Sequence, residues 1–131
     1  MPSPTRVQRI AERIKEEFSE MLLRDLSDPR LKAVYVTDVR VDRELSFADV
    51  FLSALEGESR SQEIMAGVSS ASGFIRKELA SRVALRSFPR LRFHWDPTPE
   101  SADRIERMLV ELRRDSQGDS PAAGLTKDHG E

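Results

Sequence analysis

The stretch SQEIMAGVSSASGFIRKELASRVAL, residues 61–85, carries the pattern that decides the fold. Ile64, Val68, Ala71, Ile75, Leu79 and Val83 recur every three or four residues, which places them on one helical face. Gly73 interrupts the run, and a glycine inside a helix costs about 1 kcal/mol relative to alanine. Its neighbours Ser69, Ser70 and Ser72 are poor helix formers, because their hydroxyls compete for backbone hydrogen bonds. The apolar phase nevertheless continues through the glycine. The spacing therefore fits either one continuous helix or a kinked or broken pair.

Working outward, residues 47–55 alternate. Ala48, Val50, Leu52 and Ala54 fall on one face, with Phe47 and Ser53 on the other, the period of a half-buried strand. Val34, Val36, Val39 and Val41 mark an earlier strand at 33–42. The link Asp42-Arg43-Glu44-Leu45-Ser46 is short enough for an antiparallel hairpin. Further upstream, Val7, Ile10, Ile14, Phe18, Met21 and Leu22 predict a helix over 5–26. Thr5 and Gln8 read as its capping box, and Asp28-Pro29 ends the segment. Downstream, Leu91, Phe93 and Trp95 alternate with Arg90, Arg92 and His94 in a third strand, 90–95. Thr98-Pro99 then opens an amphipathic helix carrying Ile105, Met108, Leu109 and Leu112 to about Arg114. The expected class is α+β, with helices on one face of a three-stranded sheet. Residues 1–4 form a flexible N-terminus, 5–114 one domain, and 115–131 a disordered acidic tail too poor in apolar surface to fold.

The chain has 131 residues, no cysteine and a net charge of −2. Lack of cysteine excludes disulfides and thiolate metal sites, and suits a reducing cytosol. Apolar runs are short and broken by charge, and Met1-Pro2-Ser3-Pro4 is not followed by an apolar run, so neither a membrane span nor a secretion signal is expected. The charge is uneven. Residues after Arg114 sum to −3, leaving 1–114 with 20 basic against 19 acidic side chains. Only local basic patches can then attract a polyanion.

Nothing in the sequence asks for catalysis. His94 and His129 are the only histidines, and one ordered histidine cannot build a His-based metal site. No Gly-x-Ser-x-Gly turn accompanies His94, and no Gly-rich phosphate loop is present. Asp38 and Asp49 could pair as catalytic carboxylates, but solvent-facing or turn-holding roles suit them better. Neither cofactor nor small-molecule substrate is expected. Basic residues are the remaining candidates for function. Arg6, Arg9 and Arg13 form one stripe on the first helix, where Glu12, Glu16, Glu17 and Glu20 could neutralise them. Arg76 and Lys77 follow the glycine, and Arg82 and Arg86 come next. There the balance favours binding, because a helix N-terminus presents free N–H groups to phosphate and a glycine admits a backbone closely.

Several stretches in order resemble the ribosome-binding factor A family over residues 5–112. They are Asp28-Pro29-Arg30-Leu31, Val36-Thr37-Asp38-Val39, Leu45-Ser46, and Ala71-Ser72-Gly73-Phe74-Ile75-Arg76-Lys77-Glu78-Leu79. Arg82, Leu85-Arg86, Pro89, Leu91, Phe93, Asp96, Glu100 and Arg104-Ile105 complete the match. The chain departs from the pattern at Ala102, where the family often has glycine. The resemblance implies a KH type II-like domain, α-β-β-α-kink-α-β with a C-terminal helix. Ala71-Ser72-Gly73 would stand in place of the Gly-x-x-Gly clamp of ordinary KH domains. It implies a monomeric, cytoplasmic, non-enzymatic factor. Such a factor binds the free small (30S) ribosomal subunit and its 16S rRNA, assists late maturation and 5′-end processing, and supports growth in the cold. The expected contacts are Ala71, Ser72, Gly73, Arg76, Lys77, Arg82, Arg86, Arg6, Arg9 and Arg13. A KH-like protein-interaction module without RNA binding is the alternative reading.

Overall fold

The computed structural model describes residues 3–99 together with 109, 110, 112 and 113. The chain divides into two units at Asp96/Pro97, and the first carries the features below. Helix α1 spans Pro4–Arg24 and starts one residue before the expected capping box. Ser3, not Thr5, is its N-cap: the Ser3 hydroxyl accepts from the Arg6 amide at 3.1 Å, with Pro4 at the first helical position. That combination satisfies an orphan donor and needs no N–H from the proline. Gln8 donates to Glu12 instead of returning a bond to the cap. Val7, Ile10, Ala11, Ile14, Phe18 and Met21 form the buried stripe.

Strand β1 (Val34–Val41) pairs antiparallel with β2 (Phe47–Ala54), and β2 pairs parallel with β3 (Arg90–Trp95), giving the order β1-β2-β3. The valine spacing in β1 holds a phase slip, since Val36 and Val39 are three apart and strict alternation would turn one of them outward. The register shifts between Val36 and Asp38. A bulge of this kind inserts one residue and restores both valines to the core side. The extra residue is Thr37, whose hydroxyl donates toward Asp96 at 2.6 Å and also lies 3.2 Å from the Phe51 carbonyl.

Residues 61–85 resolve into two helices, α2 (Ser61–Ser70) and α3 (Ser72–Arg82). The break falls at Ala71 (φ −94°, ψ 5°), not at Gly73, which lies in the first turn of α3. Ala71 sits in the bridge region between helix and strand, next to serines that hold helix weakly. The order α-β-β-α-α-β is that of the KH type II class. The last expected helix, with Ala102, lies mostly outside the described residues. Of its span, Thr98, Pro99, Leu109, Val110, Leu112 and Arg113 are described and helical. The expected acidic tail, 115–131, is also outside them.

Helices α1, α2 and α3 bury their apolar stripes against one face of the sheet. Phe18, Ile64, Val68, Ile75 and Leu79 meet Val50 and Leu52 there, each 0% exposed, and Phe18 lies 5.9 Å from Phe93, ring to ring. Truncating a fully buried phenylalanine such as Phe18 costs about 3–5 kcal/mol. Gly67 sets how closely α2 approaches the 3-10 turn Pro29–Leu31. A Cβ there would stand 3.0 Å from Leu31 Cδ2 and 3.3 Å from Arg30 Cβ. That turn is held firmly: Asp28 caps the Arg30 amide and grips its guanidinium at 2.6 Å, while Arg60 donates to the Arg30 carbonyl.

Candidate nucleic-acid interface

Four elements of the first unit converge at one end of the sheet. Arg6 comes from the first turn of α1, and Glu44–Phe47 from the β1–β2 turn. Arg76 comes from α3. Leu85–Phe88 and Arg90 come from the segment entering β3 and its first residue. Together they line an open recess of about 640 Å³. A second recess, about 470 Å³, is lined by Ser72, Gly73, Arg76, Arg90 and Leu91. Arg76 and Arg90 line both, so the two recesses share a wall.

Local rules place each cation. Arg76 sits one residue after the buried Ile75, so it emerges at the edge of the core. Its Nη2 donates to the Phe88 carbonyl at 2.7 Å. This bond fixes the guanidinium between the recesses and pins the loop that carries Arg86. Arg90 alternates with the half-buried Leu91, so it faces out, and its amide donates to the Ser46 carbonyl at 2.8 Å. That bond fastens β3 to the end of the hairpin. Leu45 turns the hairpin with φ 60°, a strained value for a branched residue. The turn is tied by Asp42, whose carboxylate accepts from the Phe47 amide at 2.7 Å. This bond holds the Asp42 carboxyl below its ordinary range.

The recesses gather Arg6, Arg76, Arg86 and Arg90 against one carboxylate, Glu44. Among the described residues none of these four arginines has an ion-pair partner. Such a cluster keeps its positive field available to a polyanion. Gly73 adds open space: a Cβ built there meets nothing within 4 Å.

Of the ten residues expected at the site, Ser72, Gly73, Arg76, Arg6 and Arg86 are brought together. Arg9 and Lys77 are exposed and carry no ion pair among the described residues. Ala71 is half-buried at the helix break and packs on the core. Arg13 and Arg82 are engaged elsewhere. Arg82 pairs with Asp25 at 2.7 Å, Glu78 at 3.3 Å and Glu17 at 3.6 Å. Arg13 pairs with Glu17 at 3.0 Å and donates to the Arg82 carbonyl at the end of α3. This network ties α3 to α1. Arg90 and the hairpin turn were absent from the expected site. Arg90 was legible as an exposed strand arginine, but only its register opposite Phe47 brings it to the hairpin end.

The outer sheet face holds the other candidates. Asp49 accepts from Arg92 (Nε to Oδ1 2.9 Å, Nη2 to Oδ2 3.1 Å) and sits 2.7 Å from His94 Nε2. Arg92, and then His94, hold the Asp49 carboxyl below its usual range. His94 stacks on Phe51 at 4.9 Å, and the Arg92 guanidinium covers Phe47 at 4.1 Å. Asp38 is spent on Arg40 and on the Val39 amide. Its register partner is Phe51 rather than Asp49. The two carboxylates are therefore not cross-strand partners. Among the described residues no group of three His, Asp or Glu could hold a metal, and no helix is long and apolar enough to cross a membrane.

A family model described as ribosome-binding factor A matches residues 6–109. The ribosome-binding factor A of Aromatoleum aromaticum is 35% identical over 111 residues, covering 85% of this chain and 87% of the relative. The crystal structure of ribosome-binding factor A from Thermus thermophilus superposes with a TM-score of 0.61 at 28% identity, over 68% of this chain and 93% of that one. A Thermus thermophilus ribosome binding factor A homology model, fitted into the cryo-EM map of a 30S complex, superposes with a TM-score of 0.53 at 30% identity, over 63% and 87% of the two chains.

Proposed function

The chain belongs to the ribosome-binding factor A family, a family of binders rather than enzymes, and from that premise we propose that it binds the free small ribosomal subunit through 16S rRNA phosphates. The observation that carries the reading is the pair of recesses that share Arg76 and Arg90, with Arg6, Arg76, Arg86 and Arg90 set against a single carboxylate. Arginine suits this task, since its planar fork meets phosphate oxygens bidentately and keeps its charge at any cellular pH. A net charge of −2 does not oppose it, because the field that matters is the local one.

The mechanism is selective affinity. A protein that clasps one arrangement of the RNA backbone more tightly than others shifts the population toward it. In this reading the factor holds a late precursor of the subunit in the arrangement that 5′-end processing requires, and it leaves once that arrangement changes. It acts as a monomer in the compartment where ribosomes are assembled, the cytoplasm.

The test is gradient sedimentation of the full-length protein with dissociated subunits and with translating ribosomes. Co-migration with free small subunits and absence from translating ribosomes is expected. Equal partition between the two pools rejects the proposal. In parallel, four phosphate contacts require binding to 16S rRNA to fall with salt at a log–log slope of about −3 to −4. A flat salt response rejects the recesses as the site.

A further inference from the structure

We propose that Phe74 stacks an unpaired nucleobase of the bound RNA, so that the site selects a duplex interrupted by a bulged or looped nucleotide over a continuous helix. The inference rests on the function proposed above and adds to it the class of RNA taken. Phe74 is 47% exposed, although α3 buries its two inward apolar residues, Ile75 and Leu79, completely. It is therefore not a core residue that slips partly into view. It stands on the side of the helix turned away from the sheet.

Helical geometry gives its neighbours. At about 100° per residue, Gly73 and Lys77 share the centre of the outer face of α3, with Arg76 flanking them on one side and Phe74 on the other. Arg76 is fixed there by its bond to the Phe88 carbonyl. Gly73 leaves its side of the helix bare. From Ser69 to Lys77 the chain carries no acidic residue and two basic ones, and Glu78, one turn beyond Phe74, is held by Arg82 at 3.3 Å. A backbone phosphate lying over Gly73, between Arg76 and Lys77, puts its own nucleotide beside the Phe74 ring. A paired base is stacked within its duplex and cannot turn to that ring, whereas an unpaired one can. Stacking of a base on an aromatic side chain is the usual way proteins hold splayed nucleotides.

The test uses two RNA hairpins of equal length and charge, one fully paired and one with a single bulged 2-aminopurine. The proteins are the wild type, Phe74→Leu and Arg76→Ala. Wild type is expected to bind the bulged hairpin about tenfold more tightly than the paired one, the scale of one aromatic–base stack, with a change in 2-aminopurine fluorescence on binding. Phe74→Leu should erase that preference and the fluorescence change while keeping the salt slope. Arg76→Ala should weaken both hairpins alike and lower the slope by about one. Equal binding of the two hairpins by wild type overturns the inference and leaves the RNA-binding function standing. Binding to neither hairpin, nor to 16S rRNA, rejects the function itself. If Phe74→Leu keeps the preference but loses co-sedimentation with small subunits, the ring meets a protein, and the inference is likewise overturned. Leucine at a half-exposed helical position keeps the fold, and circular dichroism melting checks it.

Discussion

Replacing Gly73 by alanine should make the protein more stable and a worse RNA binder. Gly73 lies in the first turn of α3 with ordinary helical backbone, and an added Cβ meets nothing within 4 Å. Alanine exceeds glycine in helix propensity by about 1 kcal/mol in an interior position, so about 0.5–1 kcal/mol is expected here. For a domain of this size that raises the melting temperature by about 2–6 °C. Binding should move the other way. A phosphate lying against the Gly73 backbone accepts a charge-assisted hydrogen bond worth about 1.5–3 kcal/mol. A methyl group standing over that backbone breaks the contact, so affinity for 16S rRNA should drop about tenfold or more. No charge is lost, so the slope of log affinity against log salt should stay as in wild type. Melting by circular dichroism and fluorescence anisotropy across a salt series give all three quantities. A lower melting temperature would show that Gly73 is needed for its conformation. A higher melting temperature with unchanged affinity would refute the idea that RNA approaches this backbone.

Gly67→Ala should have the opposite effect on stability. The propensity gain of about 1 kcal/mol is outweighed by overpacking against Leu31 and Arg30, which typically costs about 1–3 kcal/mol. A net loss of about 1 kcal/mol in urea denaturation is expected, and a gain would mean the turn at 29–31 yields. Arg82→Ala should lower the urea midpoint, through loss of its pairs to Asp25, Glu78 and Glu17, and leave the RNA salt slope untouched. Arg86→Ala should lower the slope by about one and leave stability unchanged; the reverse pattern would exchange their roles. Asp49→Asn should cost about 1 kcal/mol at neutral pH. Because Arg92 and His94 hold the Asp49 carboxyl low when folded, its contribution is complete above the unfolded value of about 3.9 and fades as pH falls through the depressed one. Urea midpoints of wild type and variant should therefore converge in strong acid, and a gap that persists there would contradict the pairing.

The elements were legible because each buries one face, and burial leaves a period in the sequence. The bulge was not read from the sequence: Val36 and Val39 stand at odd spacing, but nothing about Thr37 as a residue type marks it as the one that absorbs the slip. The helix break was visible as a weak region around Gly73, and it falls at Ala71, the first residue of the Ala71-Ser72-Gly73 stretch. Glycine flags weakness, but the serines around Ala71 decide where the chain departs from helix. The recesses were only half legible. Arg6, Arg76, Arg86 and Arg90 come from α1, α3 and the segment that enters β3, and their meeting depends on the parallel register of β3 beside β2. Arg82 and Arg86 look alike in sequence. One lies on the last turn of α3 facing the carboxylates of α1, and the other lies past the helix end, which no local pattern distinguishes.

The position of β3 has a consequence for how the chain reaches its native state. β1 and β2 meet across a five-residue turn, but β3 joins β2 only after residues 55–89 have crossed over through α2 and α3. Pairings distant along the chain pay their loop-closure entropy before any contact repays it, and so form slowly. The hairpin with α1 should therefore assemble first and β3 dock last. Trp95, the only tryptophan, lies at the end of β3. Leu91→Ala in β3 should speed unfolding with little change in refolding rate, and stopped-flow tryptophan fluorescence measures both; slowed refolding would place β3 in the nucleus instead. If β3 does dock last, the arginine recesses exist only once folding is complete, and a partly folded chain has nothing with which to grip RNA.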